Sequence, residues 1–196
     1  GYAKLRAEQK ERLQRQDRRL LGVGMSCYVE MCGFGPFESA VVRVEPGGTV
    51  TAYTGTSAHG QGHETSFSQI LSDHLGVPFD KIVVRHGDTL NTPMGNGTGG
   101  SRSLVVGGSA IMGAALKVQA KARKLAAHML EAAEADVVFN EGRYQVKGVP
   151  DKALTLDAIA AKAYGEGLPE GIESGLESTE FFRPPNLVYP FGAHVA

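Results

Sequence analysis

Two glycine-rich segments, each followed by an apolar pattern with helical spacing, constrain this chain more than any other feature. The first, residues 55–65 (GTSAHGQGHET), connects a β-rich run to a helical pattern, and the second, residues 91–103 (NTPMGNGTGGSRS), again runs into a helix. The first N–H groups of a helix lack intrahelical partners, and the helix dipole favours an anion there. The two loops therefore predict N–H donors that converge on one anionic ligand such as a phosphate, with a plain glycine-rich turn as the alternative.

Neither loop has the sequence of a common nucleotide-binding motif. Gly55 and Gly60 have the spacing of a P-loop, but the next two residues are Gln and Gly instead of Lys and Ser or Thr. The lysine for the terminal phosphates and the hydroxyl for Mg²⁺ are therefore both missing. Thr65 also stands where a Rossmann fingerprint starting at Gly60 needs its third glycine, so both motifs are excluded.

The residues of both loops resemble a known family. Residues 60–65 (GQGHET), followed about forty residues later by residues 100–103 (GSRS), are similar to the molybdopterin-binding large subunit of molybdenum hydroxylases. The resemblance is strongest to the aerobic carbon monoxide dehydrogenase type, which is related to xanthine dehydrogenase and aldehyde oxidase. It covers nearly the whole chain, with further similarity at 35–40, 54–56, 91–93, 182–186 and 190–194.

The resemblance implies a set of cofactor-binding residues. A molybdopterin cofactor, in its cytosine dinucleotide form, would contact nine residues: Gly60, Gln61, Gly62, His63, Glu64, Gly100, Ser101, Arg102 and Ser103. Gln61 would hydrogen-bond near the molybdenum or the pterin without ligating the metal. Residues 62–64 would lie at the pyrophosphate and pterin, and residues 101–103 at the phosphate or nucleotide end.

Two of these residues have other interpretations. An arginine between two serines can bind a phosphate through two N–H groups, but a serine there can also cap the following helix and leave Arg102 solvated.

His59 and His63 are four residues apart, as in a zinc-binding helix, but Phe67 stands where the H-E-x-x-H motif needs its second histidine. The zinc site is therefore disfavoured, and His63 is expected to face the ligand.

The resemblance also implies what the whole enzyme does. It would oxidise a small substrate (carbon monoxide, an aldehyde, a purine or an N-heterocycle) with oxygen from water and pass electrons to iron–sulfur clusters and FAD on partner domains or subunits. The expected glutamate base and the substrate-specific loop are not in this sequence, so no catalytic residue is assigned. This fragment would be inactive without the remaining large-subunit domains, and its exposed faces could drive self-association into a homo-oligomer. A non-catalytic anion- or nucleotide-binding module and a structural domain are the rival functions.

Composition further restricts the classes of protein to which this chain could belong. The net charge of −1 offers no basic face for nucleic acid. No signal peptide and no membrane-spanning apolar run are expected, and a cytoplasmic protein is expected. Two cysteines, Cys27 and Cys32, cannot hold an iron–sulfur cluster alone and are expected to be buried, inert thiols. The missing initiator Met and a C-terminal strand that stops midway suggest a fragment.

The hydrophobic periodicity predicts an α+β fold, with mixed sheets and packed helices, over residues 1–196. Glycines 107, 108 and 113 indicate either a close backbone approach or ordinary contact between helix and sheet. A mobile linker is expected at 165–177. Predicted helices span 2–19, 63–75, 103–135 and 156–164, and predicted strands span 20–31, 38–45, 49–54, 81–86, 137–139, 143–147, 178–182 and 187–195.

Overall fold

The computed structural model describes all of residues 1–196. Three separate sheets and four α-helices confirm the α+β class. The helices are α1 (Tyr2–Gln14), α2 (His63–Leu75), α3 (Ser109–Met129) and α4 (Leu156–Ala163). The strands are β1 (Met25–Val29), β2 (Glu38–Val44), β3 (Val50–Thr54), β4 (Ile82–Arg85), β5 (Val137–Asn140), β6 (Arg143–Val146), β7 (Val149–Thr155), β8 (Glu177–Phe182) and β9 (Phe191–Val195).

The chain divides into two compact units, and the smaller one comprises residues 1–32 and 188–196. It contains α1, which buries no side chain, and an antiparallel ribbon of β1 and β9. Cys32 is buried, but Cys27 on β1 is exposed. The expectation of two buried thiols is therefore wrong for Cys27, because a two-stranded ribbon without a second layer leaves its faces open.

The larger unit, residues 33–187, is built on a four-stranded sheet with the order β4-β3-β2-β8. Strand β2 pairs antiparallel with β3 and β8, whereas β3 and β4 are parallel and α2 lies between them in the chain. A parallel pair needs such a crossover connection. The first glycine loop is the turn from β3 into this crossover helix, so both of its ends are fixed by regular structure.

A second, antiparallel sheet contains β5, β6 and β7. The sequence predicted its first two strands but not β7, because Pro150, Asp151 and Lys152 interrupt the apolar alternation and are exposed. Pairing with β6 forms this strand in spite of its composition.

Helix α3 lies at the centre of the larger unit. Its buried residues are Ala110, Ile111, Ala114, Ala115, Val118, Ala122, Leu125, Ala126 and Ala127, and they join side chains from α2, α4 and the four-stranded sheet in one core. The continuous segment Ser103–Met129 is long and apolar enough to cross a membrane by length and composition alone, contrary to the sequence expectation. In this structure the buried residues of α3 face the protein core.

The predicted long helix differs from the observed one at both ends. Residues Ser103–Gly108 form a π-helical turn, and α3 ends at Met129 instead of near 135. At the C-terminus Glu131 adopts a φ of 50°, and the Ala132 N–H donates to the Ala127 carbonyl at 3.0 Å. This 6→1 bond is typical of a helix terminus.

Two glycines of this segment make close contacts with protein neighbours. A Cβ added to Gly107 would lie 2.5 Å from Thr56 Cγ2, and one added to Gly113 would lie 2.8 Å from Glu180 Cγ. These glycines therefore let the helical segment approach the first loop and β8, which favours the close-approach interpretation.

The segment predicted to be a mobile linker is attached to the core at its C-terminal end. The Gly175 N–H donates to the Ala163 carbonyl at 2.8 Å, and Leu176 is fully buried. The mobility of the rest of this segment stays a prediction.

Candidate functional site

The first glycine loop presents open backbone at the start of α2. Gly62 is the N-cap, with a φ of 74°, and no side chain caps the helix. A Cβ added to Gly60 or Gly62 would meet no atom within 4 Å. The helix therefore begins beside space in which a ligand could approach the backbone directly.

The second glycine loop lies in direct backbone contact with the first. A Cβ added to Gly95 would lie 2.3 Å from the Gly55 carbonyl oxygen, so neither position tolerates a side chain. The Gly97 N–H donates to that same oxygen at 3.2 Å, and the Ser57 N–H donates to Thr98 Oγ1 at 3.2 Å. The two loops therefore contact each other in the fold, and the convergence of their N–H groups on one anion stays a prediction.

A cleft of about 400 Å³ lies between the loops. Its walls are mostly backbone and small side chains: Thr54, Gly55, Ser57, Gly87, Asp88, Thr89, Thr92, Pro93, Met94, Gly95 and Gly97. The carboxylate of Asp88 accepts hydrogen bonds from Asn91 Nδ2 at 2.8 Å and from the Leu90 N–H at 2.9 Å. The bond from Asn91 is the main cause that lowers the pKa of Asp88, so the acid of the cleft is already occupied by local donors.

Arg102 lies beneath the second loop with only 5% of its surface exposed. Its Nη1 lies 2.6 Å from Glu38 Oε2 and 2.8 Å from the Gly97 carbonyl oxygen. Its Nε and Nη2 donate to the carbonyls of Phe34 and Phe37. The alternative of a solvated Arg102 is therefore wrong. Four of the five guanidinium N–H donors bind protein oxygens, and a direct contact from Arg102 to a phosphate stays a prediction.

Neither serine next to Arg102 is the N-cap residue of the following helix. Arg102 itself is the N-cap residue of the π-helical turn, without a side-chain cap. The Ser103 hydroxyl lies 2.8 Å from Thr98 Oγ1, and Ser101 adopts a φ of 50°. Ser103 is thus connected through Thr98 to the first loop, whereas Arg102 is turned towards β2.

Glu38 is a residue that the sequence did not assign to the site. It is fully buried at the start of β2, and its carboxylate accepts hydrogen bonds from the N–H groups of Ser39 at 3.1 Å and Asn96 at 3.3 Å as well as from Arg102. A glutamate beside Phe37 and Ser39 looks like a solvent-facing strand residue. The one available signal was its position in the 35–40 segment that resembles the family.

His63 points into the protein. Its ring is 5% exposed, stacks on Phe67 with centroids 5.3 Å apart, and has Nδ1 3.4 Å from Thr56 Oγ1. Burial lowers the pKa of His63, with a smaller effect from nearby His86. A ligand contact from the His63 side chain stays a prediction, while its backbone N–H remains at the open start of α2.

Glu64 and Gln61 lie on the exposed side of the first loop. Glu64 Oε1 is 2.8 Å from His86 Nε2, and this bond is the main cause that lowers the pKa of Glu64. The Gln61 side-chain oxygen accepts the His59 N–H. No group of three or more His, Cys, Asp and Glu side chains could hold a metal ion.

The nine predicted residues thus fall into two groups. Residues 60–64 form the open start of α2, with His63 as the one buried member. In the second loop, Gly100 lies against Phe34, with an added Cβ 3.3 Å from the Phe34 Cβ, and Arg102 lies against Glu38. The contacts between the loops are made by residues outside the nine predicted ones: Gly55, Ser57, Gly95, Gly97 and Thr98. None of the nine lines the cleft.

Comparison with known proteins shows what the whole chain is similar to. The chain matches the molybdopterin cofactor-binding domain family over residues 1–196. It is 42% identical to the carbon monoxide dehydrogenase large chain of Afipia carboxidovorans, over 99% of this chain and 26% of that protein. It is 32% identical to the nicotine 6-hydroxylase large subunit of Paenarthrobacter nicotinovorans, over 93% of this chain and 25% of that protein.

A solved structure has the same fold. The CO dehydrogenase from Oligotropha carboxidovorans is similar over 100% of this chain and 26% of that chain, with a TM-score of 0.89 and 42% sequence identity. The chain spans about a quarter of the length of the relatives that it matches. Because the family match covers every residue, the chain belongs to the molybdopterin cofactor-binding domain family.

Proposed function

We propose that the cleft between the two glycine loops binds the pyrophosphate and pterin of a molybdopterin cofactor. The observation that carries this proposal is the backbone contact between Gly55 and Gly95, which brings two loops with few side chains to one cleft. Backbone N–H groups and a helix N-terminus suit a phosphate chemically.

The residues present fit such a group. Space is open beyond Gly60 and Gly62, where a side chain would obstruct a ligand. Asp88 in the cleft wall is already bound by local N–H donors, and Glu38 behind the second loop is paired with Arg102. These carboxylates therefore present little free negative charge to a phosphate. No protein side chains form a metal-ligand cluster, which suits a metal carried by the pterin. When bound, the cofactor would supply the redox chemistry.

The individual contacts follow the two loops. Gly62, His63 and Glu64 would bind the pyrophosphate or pterin through the backbone at the start of α2. Gln61, exposed at the tip of the loop, would hydrogen-bond near the metal. Residues 100–103 would lie at the nucleotide end, and a cytosine dinucleotide is proposed there.

The whole protein is proposed to be a molybdenum hydroxylase. Its substrate would be a small molecule oxidised with oxygen from water, such as carbon monoxide, an aldehyde, a purine or an N-heterocycle. The names of the relatives, carbon monoxide dehydrogenase and nicotine 6-hydroxylase, leave this substrate class wide. Iron–sulfur and flavin subunits and the remaining large-subunit domains would complete the enzyme in the cytoplasm, and the catalytic base would come from one of those domains.

The test is the cofactor content of the full-length protein, purified with its partner subunits from a host that makes molybdopterin. Metal analysis should give one molybdenum per large subunit, and acid hydrolysis should release one CMP. Molybdenum without CMP would retain the cofactor and reject the cytosine dinucleotide. The absence of both molybdenum and nucleotide would reject the proposal in favour of a non-catalytic anion-binding module.

A further inference from the structure

We infer that Glu38 is a positioning residue, which fixes the shape of the second glycine loop through a buried ion pair with Arg102. This inference rests on the proposed function of the cleft for its consequence, but the geometry behind it is independent of any ligand. The ion pair joins two residues 64 positions apart in the chain, and their side chains are 0% and 5% exposed.

The carboxylate of Glu38 holds the loop at two places. Oε2 lies 2.6 Å from Arg102 Nη1 at the end of the loop. Both carboxylate oxygens lie 3.3 Å from the Asn96 backbone nitrogen in its middle. The distance across the loop between residues 96 and 102 is therefore set by one side chain that belongs to a regular strand.

Arg102 extends this attachment through its planar guanidinium. Its N–H groups reach the carbonyls of Phe34 and Phe37, which precede β2, and the carbonyl of Gly97, which belongs to the loop. A lysine has one ammonium instead of this fixed fork of donors. Lysine could preserve the charge pair, but it could not make all of these bonds in the same geometry.

The same attachment aligns the wall of the cleft. Gly95 and Gly97, which line the cleft, stand on either side of Asn96 and contact Gly55 of the first loop. Because the Glu38 carboxylate binds the Asn96 N–H, it also holds the neighbouring Gly95 and Gly97 against Gly55. If the ion pair is broken, residues 94–98 are expected to leave the first loop while the sheet remains paired.

Three variants of the full-length protein with its partner subunits test this inference. Glu38→Gln leaves the Arg102 charge buried without its partner. Arg102→Lys keeps the charge pair but loses the fork of hydrogen bonds. Glu38→Met with Arg102→Met removes both charges, a replacement that other buried ion pairs tolerate without loss of stability. The matched control is Glu177→Gln, which breaks the exposed Arg43–Glu177 pair on the same sheet.

Two readouts separate positioning from a merely structural role. The first is molybdenum per large subunit. The second is the rate of limited proteolysis at two exposed residues, Leu90 just before the second loop and Met94 within it. We expect molybdenum to fall at least about fivefold in Glu38→Gln and in the double variant, and about threefold in Arg102→Lys. Cleavage of the loop should accelerate by a similar factor at temperatures well below the unfolding transition of each variant, and the control should match wild type.

Wild-type molybdenum content and loop cleavage in folded Arg102→Lys and in the folded double variant would overturn the inference. If only Arg102→Lys folds, its molybdenum content and loop cleavage decide alone. Cleavage and molybdenum loss that occur only in step with global unfolding would assign the pair a structural role and also overturn it. If wild-type protein contains no molybdenum, the proposed cofactor fails, and the loop-cleavage rates still test whether Glu38 positions the loop.

Discussion

The two glycine loops reach the same cleft, but they are held in place by different means. The first loop has exposed residues at its tip, where the His59 N–H donates to the nearby Gln61 side-chain oxygen. The second loop is bound by long-range contacts to β2, including Asn96 Nδ2 to the Phe37 carbonyl at 2.9 Å. One loop therefore offers free backbone, and the other provides a fixed wall.

The difference follows from where each loop stands in the fold. The first connects β3 directly to α2, so both ends are set by regular structure. The second belongs to the stretch between β4 and the π-helical turn, residues 86–102, which has no helix or strand of its own. A loop of this length is uncommon in a compact unit unless other contacts order it, and here the buried Glu38–Arg102 pair does so.

The largest expected effect is that of Arg102→Ala. It leaves the fully buried Glu38 without its cation, which costs about 3–5 kcal/mol in comparable sites. Urea unfolding should show this loss of stability, while Arg43→Ala on the exposed side of β2 should cost less than about 1 kcal/mol. Equal losses in the two variants would contradict the proposed importance of the buried pair.

A smaller loss is expected from Gly95→Ala, which attacks the contact between the loops. The added Cβ would lie 2.3 Å from the Gly55 oxygen, and overpacking of this kind costs about 1–3 kcal/mol. Gly99→Ala in the same loop is the control, because its Cβ would meet no atom within 4 Å. Identical unfolding curves for the two variants would show that the loops separate without cost.

Gly60→Ala tests the first loop through cofactor binding instead of stability. Its φ of 97° costs an alanine about 1 kcal/mol, and the control Gly148→Ala, with a φ of 80° and equally open surroundings in the β6–β7 turn, should cost a similar amount. Molybdenum content should fall in Gly60→Ala alone, because only this Cβ would enter the proposed cofactor space. Equal molybdenum contents would place the cofactor elsewhere.

The smallest effect concerns the pH dependence of stability at the first loop. Burial lowers the pKa of His63 below its ordinary value of 6.5, so the unfolded chain binds the proton more readily. The contribution of His63 is fully present above pH 6.5 and is lost as the pH falls towards the folded pKa, by at most about 1.4 kcal/mol per pH unit.

Thermal unfolding between about pH 5 and pH 8 tests this sign. His63→Phe should flatten the acidic side of the profile, whereas His128→Gln, at an exposed position of α3, should leave it unchanged. A profile of His63→Phe that is as steep as that of wild type would contradict the burial effect.

Much of the local structure was predictable because it depends on neighbouring residues. Helix α2 spans the predicted residues 63–75 and ends at Gly76 with a φ of 64°, since glycine favours that terminus. The β2–β3 hairpin likewise lies where apolar alternation and Pro46 placed it. The β7 strand and the end of α3 were missed because pairing and helix-end hydrogen bonds overrode the local pattern.

The sequence by itself determined the two glycine loops, the helices that follow them and the family to which they belong, because these are properties of short segments and their spacing. Only the tertiary structure decided that Gly55 touches Gly95, that His63 is buried and that Arg102 pairs with Glu38. Each of these depends on a partner from another segment, and the burial of a charged side chain is tolerated only where such a partner exists.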